Sequence, residues 1–87
     1  MSVLKVVVST HCFGCEKAIR LSMIAAQRFP NISVDVVNLE KQLDAKPSQV
    51  VAVPAYLLDG KLIFLGNPRE EDLFSVIAKQ SNAFGQG

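Results

Sequence analysis

The chain contains two cysteines, Cys12 and Cys15, which are separated by two residues and follow a short apolar run. A helical pattern begins at the same place, so the first turn of that helix would present unpaired N–H groups and the positive end of its dipole to the first sulfur. Such an environment stabilises a thiolate and lowers the pKa of a thiol below its ordinary value of about 8.5. Cys12 would then be a nucleophile, and Cys15 could attack the mixed disulfide formed on it. The pattern predicts dithiol–disulfide exchange.

Two charged or titratable neighbours could modify this chemistry. An imidazolium at His11 could stabilise the thiolate, whereas a neutral His11 ring could serve as a third ligand for a soft metal ion. Lys17 could add positive charge near the sulfurs. Simpler explanations stand beside these, because His11 can be an exposed loop residue and Lys17 a solvated residue on a helix face.

Length and composition limit the classes of protein to which this chain could belong. The 87 residues, 49% of them hydrophobic, are sufficient for one small packed domain. The net charge of +1 provides no strong field for nucleic acid or an anionic membrane. The longest apolar run, residues 50–58, contains Pro54 and is too short to cross a bilayer. Because a strand pattern begins at Val3, we expect an unprocessed cytoplasmic protein, in which two cysteines are more often redox-active or metal-binding than structural.

The first half of the chain has the pattern of a βαβ unit. Residues 4–8 are apolar except for Lys5 and include three consecutive β-branched valines, as in a strand buried on both faces. The helical pattern then runs to about Phe29, and its apolar face holds Cys15, Ala18, Ile19, Ser22, Met23 and Ala26. Residues 32–39 predict a second strand, which implies parallel pairing and a right-handed crossover.

The second half predicts a hairpin and a final helix. Residues 40–49 fit either a short helix or a loop that recrosses the sheet. The Asp59-Gly60 pair predicts a tight turn between two apolar strands, and Pro54 must begin the first of them because proline cannot donate to a sheet ladder. Asn67, Pro68 and Glu70 then resemble a helix start, with Asn67 as the cap.

In the final helix Leu73, Val76, Ile77 and Gln80 share one face, with Phe74 beside them, so the packed stripe is short. The pattern dissolves after Lys79, so we predict one domain over residues 1–80 and a frayed C-terminal tail over residues 81–87.

The order of these elements resembles the thioredoxin fold in its minimal form, as in glutaredoxins and small thioredoxin-like proteins. The resemblance covers residues 3 to about 80 and rests on two motifs, Cys12-Phe13-Gly14-Cys15 after a strand and Val53-Pro54-Ala55 before the hairpin. It implies an α/β domain of the order β-α-β-(short α or loop)-β-β-α, with a four-stranded mixed sheet and flanking helices.

The resemblance also implies roles for individual residues. Cys12 would attack a substrate disulfide and Cys15 would resolve the intermediate. A docking groove beside them, in which the proline is cis, would be formed by Phe13, Val53, Pro54 and Gly66. No metal or cofactor is implied. The implied partners are a disulfide-bearing substrate protein and an upstream reductase or glutathione, and we expect a monomer.

Two other functions remain open. The segment from Thr10 to Cys15 also resembles the metal-binding half of copper-chaperone domains, which have a ferredoxin-like βαββαβ fold, and His11, Cys12 and Cys15 would then carry Cu(I). The second is a thioredoxin-like adaptor that binds through the proline-side groove without turnover. The last element separates the first alternative from the thioredoxin fold, because a copper chaperone would end in a strand and not in a helix.

Overall fold

A four-stranded mixed sheet positions the cysteine loop. The structure, a computed structural model, describes residues 2–10, 12–41 and 52–85, and its strands are β1 (Val3–Val8), β2 (Ser33–Asn38), β3 (Ala55–Leu58) and β4 (Lys61–Leu65). Their order in the sheet is β2-β1-β3-β4. β1 pairs in parallel with β2 and antiparallel with β3, which in turn pairs antiparallel with β4. The predicted mixed sheet and its parallel first pair are confirmed.

β1 lies inside the sheet because its β-branched residues are apolar on both faces. Leu4, Val6 and Val8 belong to the main core, which the two helices cover. Val7 points to the opposite face and packs with Ala55 and Leu57 of β3, as the alternation of side chains along a strand requires. The carboxyl end of this rigid central strand leads directly into the cysteine loop.

The first helix, α1 (Cys15–Arg28), begins later than the sequence predicted. Gly14 is its N-cap and has a left-handed backbone with φ of 92°, so the helix cannot extend back to Cys12. The buried face also differs from the predicted one, since it holds Cys15, Ala18, Leu21, Ser22 and Ala25. Leu21 and Ala25 are buried, whereas Ile19 and Met23, which the sequence placed on the buried face, are 37% and 59% exposed.

The hairpin forms where the sequence predicted it. Asp59 and Gly60 both have positive φ, of 52° and 83°, which is the backbone of a tight two-residue turn. β3 starts at Ala55, immediately after Pro54, and the Val53–Pro54 peptide bond is cis. Residues 42–51 lie outside the described residues, and so does most of the predicted connection over 40–49.

The second helix, α2 (Glu70–Gly85), differs from the prediction at both ends. It begins after Arg69, whose carbonyl accepts hydrogen bonds from the N–H groups of Asp72 and Leu73. Asn67 is therefore not its cap, and its side chain is used elsewhere. The helix continues to Gly85, so residues 81–85, predicted as part of a frayed tail, are helical. The domain boundary at residue 80 stays a prediction.

The core side of α2 agrees with the sequence pattern, because Leu73 and Ile77 are fully buried in the main core. In the described residues β3 and β4 form a hairpin and both precede α2, whereas the ferredoxin-like βαββαβ order has a helix between its third and fourth strands, so that alternative fold is wrong. Neither helix of the described part is both long enough and apolar enough to pass through a lipid bilayer.

Candidate active site

Cys12 and Cys15 form a disulfide, with their Cα atoms 5.4 Å apart. The two sulfurs have different surroundings. Cys15 is the first residue of α1 and is only 3% exposed within the main core, whereas Cys12 is half-buried at the surface. A reacting sulfur from outside can therefore reach Cys12 more easily than Cys15.

The loop between the cysteines is held by backbone hydrogen bonds. The Cys15 N–H donates to the Cys12 carbonyl at 3.3 Å, and the Ala18 N–H donates to the Gly14 carbonyl at 3.1 Å. Cys12 thus lies before α1, whereas the sequence predicted that the helix would begin near Cys12. Its sulfur is nevertheless bonded to the first residue of α1, so the disulfide lies at the positive end of the helix dipole.

The side chain of Asn67 connects this loop to the sheet by two hydrogen bonds. The sequence pattern did not predict this contact. Its Nδ2 donates to the Gly14 carbonyl at 2.8 Å, and its Oδ1 accepts from the Tyr56 hydroxyl at 2.8 Å. The sequence pattern predicted only a helix cap at Asn67. The available signal was a tyrosine in an otherwise apolar strand, because a buried hydroxyl requires a polar partner.

The proline segment reaches the same region through Gly66. The Gly66 N–H donates to the Pro54 carbonyl at 2.8 Å, and Gly66 has φ of 82° at the end of β4. Pro54 is buried, and Val53 is half-buried against both parts of the core. Asn67, the residue after Gly66, donates to the Gly14 carbonyl, so Gly66 and Asn67 together connect the proline segment to the cysteine loop.

The remaining predicted site residues lie on the surface or outside the described residues. Phe13, between the cysteines, is fully exposed at 103%. Lys17 is exposed on the first turn of α1. His11 is not among the described residues. Within those residues no group of three or more His, Cys, Asp and Glu side chains could hold a metal ion.

A cavity of about 350 Å³ opens beside the disulfide at the ends of β1 and β2. Its lining includes both cysteines, Ile19, Asn38 and Lys41. The loop before the disulfide is fixed to the segment that follows β2, because the Thr10 N–H donates to the Glu40 carboxylate at 3.0 Å. The disulfide can thus be approached at Cys12 from a preformed surface.

We expect Gly14→Ala to destabilise the protein by about 1–3 kcal/mol, because a left-handed backbone costs an L-residue about 1–2 kcal/mol. A Cβ at Gly14 would also lie 3.1 Å from Asn67 Nδ2. Gly60→Ala is a matched control, since Gly60 has φ of 83° but its Cβ would meet nothing within 4 Å in the described part of the chain. Urea denaturation should show the larger loss for Gly14→Ala. Equal losses would contradict the close contact.

Burial raises the pKa of Tyr56 from 10.0 to about 12. The unfolded chain therefore loses this proton first as the pH rises, so the contribution of Tyr56 to stability is complete below pH 10 and is lost towards pH 12. We expect the free energy of unfolding of the wild-type protein to fall by at most about 3 kcal/mol relative to that of Tyr56→Phe, at roughly 1.4 kcal/mol per pKa unit. Urea denaturation of both proteins at several pH values between 9 and 12 measures this difference in stability. A constant stability difference across this range would contradict the shift.

Solved thioredoxin structures are similar to this chain. Mitochondrial thioredoxin 3 from Saccharomyces cerevisiae, in its oxidized form, is 23% identical, with 90% of this chain and 77% of that chain covered and a TM-score of 0.74. Oxidised thioredoxin from Plasmodium falciparum is 13% identical, with 91% and 80% covered and a TM-score of 0.71. Thioredoxin from Fasciola hepatica is 18% identical, with 90% and 79% covered and a TM-score of 0.71. At these identities the likeness shows a shared fold alone.

Sequence relationships define the family. None of the curated proteins matches this chain. A family model described as a thioredoxin domain matches residues 3–78, which include both cysteines, the proline segment and the first nine residues of α2. The chain therefore belongs to the thioredoxin domain family.

Proposed function

We propose that this protein is a thiol–disulfide oxidoreductase that acts on a protein disulfide, with Cys12 as the nucleophile and Cys15 as the resolving thiol. The observation that supports this most strongly is the Cys12–Cys15 disulfide at the start of α1, with one sulfur accessible and the other buried. This asymmetry fits a mechanism in which the outer sulfur meets the substrate and the inner one completes the exchange.

The two thiols of Cys12 and Cys15 supply the two electrons that reduce one substrate disulfide. In the reduced protein the Cys12 thiolate attacks one sulfur of the substrate disulfide, which forms a mixed disulfide and releases the other substrate sulfur as a thiolate. Cys15, after losing its proton, attacks the Cys12 sulfur and expels the second substrate thiolate. The substrate gains two electrons and takes up two protons, and the protein is left with the Cys12–Cys15 disulfide.

We assign the docking surface to Phe13, Val53, Pro54 and Gly66. Phe13 offers a large apolar side chain next to the reacting sulfur, and a partner could cover it. The Gly66–Pro54 hydrogen bond supports this assignment, because it holds the proline segment next to the residue that contacts the cysteine loop. An extended substrate segment could pair with the backbone at Val53.

Charged neighbours of the cysteines are assigned a modulating role. Lys17 lies exposed on the first turn of α1 and would add positive charge near the sulfurs. His11 precedes Cys12 in the sequence and would act on the same thiolate when protonated.

A cycling dithiol needs an electron source as well as a substrate. We propose that an upstream reductase or glutathione returns the protein to its dithiol form, and that the protein works as a monomer in the cytoplasm. In the reducing cytoplasm the dithiol form would stay available for the next substrate. The exchange itself passes electrons only between sulfur atoms and requires no cofactor.

Insulin reduction tests this function. In the presence of dithiothreitol, the wild-type protein should accelerate the precipitation of insulin chains over the rate with dithiothreitol alone. The same assay distinguishes an adaptor, which would bind a disulfide-bearing protein without changing that rate. A rate equal to the dithiothreitol background would reject the oxidoreductase.

A further inference from the structure

The side-chain amide of Asn67 is fixed from two sides. Its Nδ2 donates to the Gly14 carbonyl at 2.8 Å, and its Oδ1 accepts from the Tyr56 hydroxyl at 2.8 Å. A backbone carbonyl can only accept a hydrogen bond, so the amide nitrogen must face Gly14. The amide oxygen is then left to accept from the phenol, and the orientation of Asn67 is unambiguous.

The group that Asn67 contacts belongs to the loop that joins the two sulfurs. Gly14 lies between the cysteines, caps α1 and has the left-handed backbone described above. A Cβ on Gly14 would lie only 3.1 Å from Asn67 Nδ2, which shows how closely the two segments approach. The hydrogen bond from Asn67 therefore restrains the backbone of the disulfide loop itself.

The other end of the contact is rigid. Tyr56 is fully buried in the central part of the sheet, and its ring packs edge-on against Phe64 with centroids 6.3 Å apart. Asn67 directly follows Gly66, which is hydrogen-bonded to Pro54. The loop between the cysteines is thus attached to the core of the protein by a side chain that cannot easily rotate away.

We propose that Asn67 is a positioning residue that favours the disulfide over the dithiol, an inference that rests on the proposed exchange at Cys12 and Cys15. In the disulfide form the S–S bond already closes the loop. In the dithiol form that covalent restraint is gone, and the hydrogen bond to Gly14 keeps the two thiols close together. Removing the bond gives conformational freedom mainly to the dithiol, which makes the disulfide easier to reduce.

The equilibrium with glutathione measures this effect. One protein disulfide and two glutathione thiols give the protein dithiol and one glutathione disulfide, and alkylation followed by mass determination reports the ratio of the two protein forms. Asn67→Leu keeps the branched shape but loses both hydrogen bonds. We expect its equilibrium to move about threefold to tenfold towards the dithiol, because the net free energy of one hydrogen bond is the upper limit of the difference between the two forms.

Two control variants separate this effect from general destabilisation. Tyr56→Phe removes the phenol hydroxyl but leaves the bond from Asn67 to Gly14, so we expect a shift below about threefold. Asn31→Leu makes the same chemical change at an exposed turn beyond the other end of α1, and we expect no shift. If Asn67→Leu does not fold, Asn67→Ala is measured in its place, with a shift in the same direction.

An equilibrium for the Asn67 variant within twofold of the wild-type value would overturn the proposal, as would a shift towards the disulfide. Equal shifts for Asn67→Leu and Tyr56→Phe would also overturn it, because the effect would then not come from the bond to Gly14. The equilibrium can be measured whether or not the protein reduces insulin. Failure of this inference is therefore distinguishable from failure of the proposed function.

Discussion

Cys12→Ser is expected to abolish insulin reduction and to leave only the background rate of dithiothreitol. The reason is that Cys12 is the accessible sulfur of the pair, while Cys15 is buried in the main core and cannot meet a substrate disulfide directly. A serine hydroxyl has nearly the same size but does not form disulfides. The measurement is the turbidity of precipitating insulin chains as a function of protein concentration.

Cys15→Ser is the matched control for this experiment. It keeps the attacking sulfur but cannot resolve the intermediate, so it should accumulate a mixed disulfide with the substrate. Mass spectrometry after acid quenching should detect this adduct for Cys15→Ser and not for Cys12→Ser. Adducts on Cys15 in the Cys12→Ser protein, or retained turnover by that protein, would reverse the assigned roles.

Tyr56→Ala is expected to destabilise the protein by about 3–5 kcal/mol, the range for truncating a large buried aromatic residue. Tyr56 is 0% exposed, and its ring belongs to the main core beneath both helices. Its hydroxyl also supplies the partner of Asn67 Oδ1. The loss should therefore combine a cavity with an unpaired polar group, and urea denaturation at neutral pH measures it.

Tyr56→Phe separates these two contributions. It preserves the ring and removes only the hydroxyl, so we expect a loss of about 0.5–1.5 kcal/mol. If both variants lost the same amount, the ring would contribute nothing, and the position of Tyr56 in the core would be contradicted.

The features that the sequence predicted well depend on local signals. The Cys12–Cys15 spacing, the position of Pro54 before β3 and the Asp59-Gly60 turn each follow from a few adjacent residues. The βαβ unit follows from strand and helix patterns of sufficient length. Once these elements were placed, the right-handed crossover expected of the βαβ unit and the tight turn of the hairpin left few possible topologies.

The features that the sequence did not predict depend on contacts between distant segments. Asn67 has the local signature of a helix cap, but its donor group is taken by Gly14, 53 positions away in the chain. The buried face of α1 differs from the predicted one for a similar reason, because contact with the rest of the core buries Leu21 and Ala25 and leaves Met23 exposed. Neither outcome can be derived from a pattern within one element.

A redox titration of the wild-type protein tests the central claim most directly. The protein is equilibrated in glutathione or dithiothreitol buffers of graded ratio, quenched by alkylation, and assayed for free thiols at Cys12 and Cys15. We predict one reversible transition in which both thiols appear together, as a two-electron couple requires. Thiols that appear separately, or a pair that stays in one form across all buffers, would contradict the account.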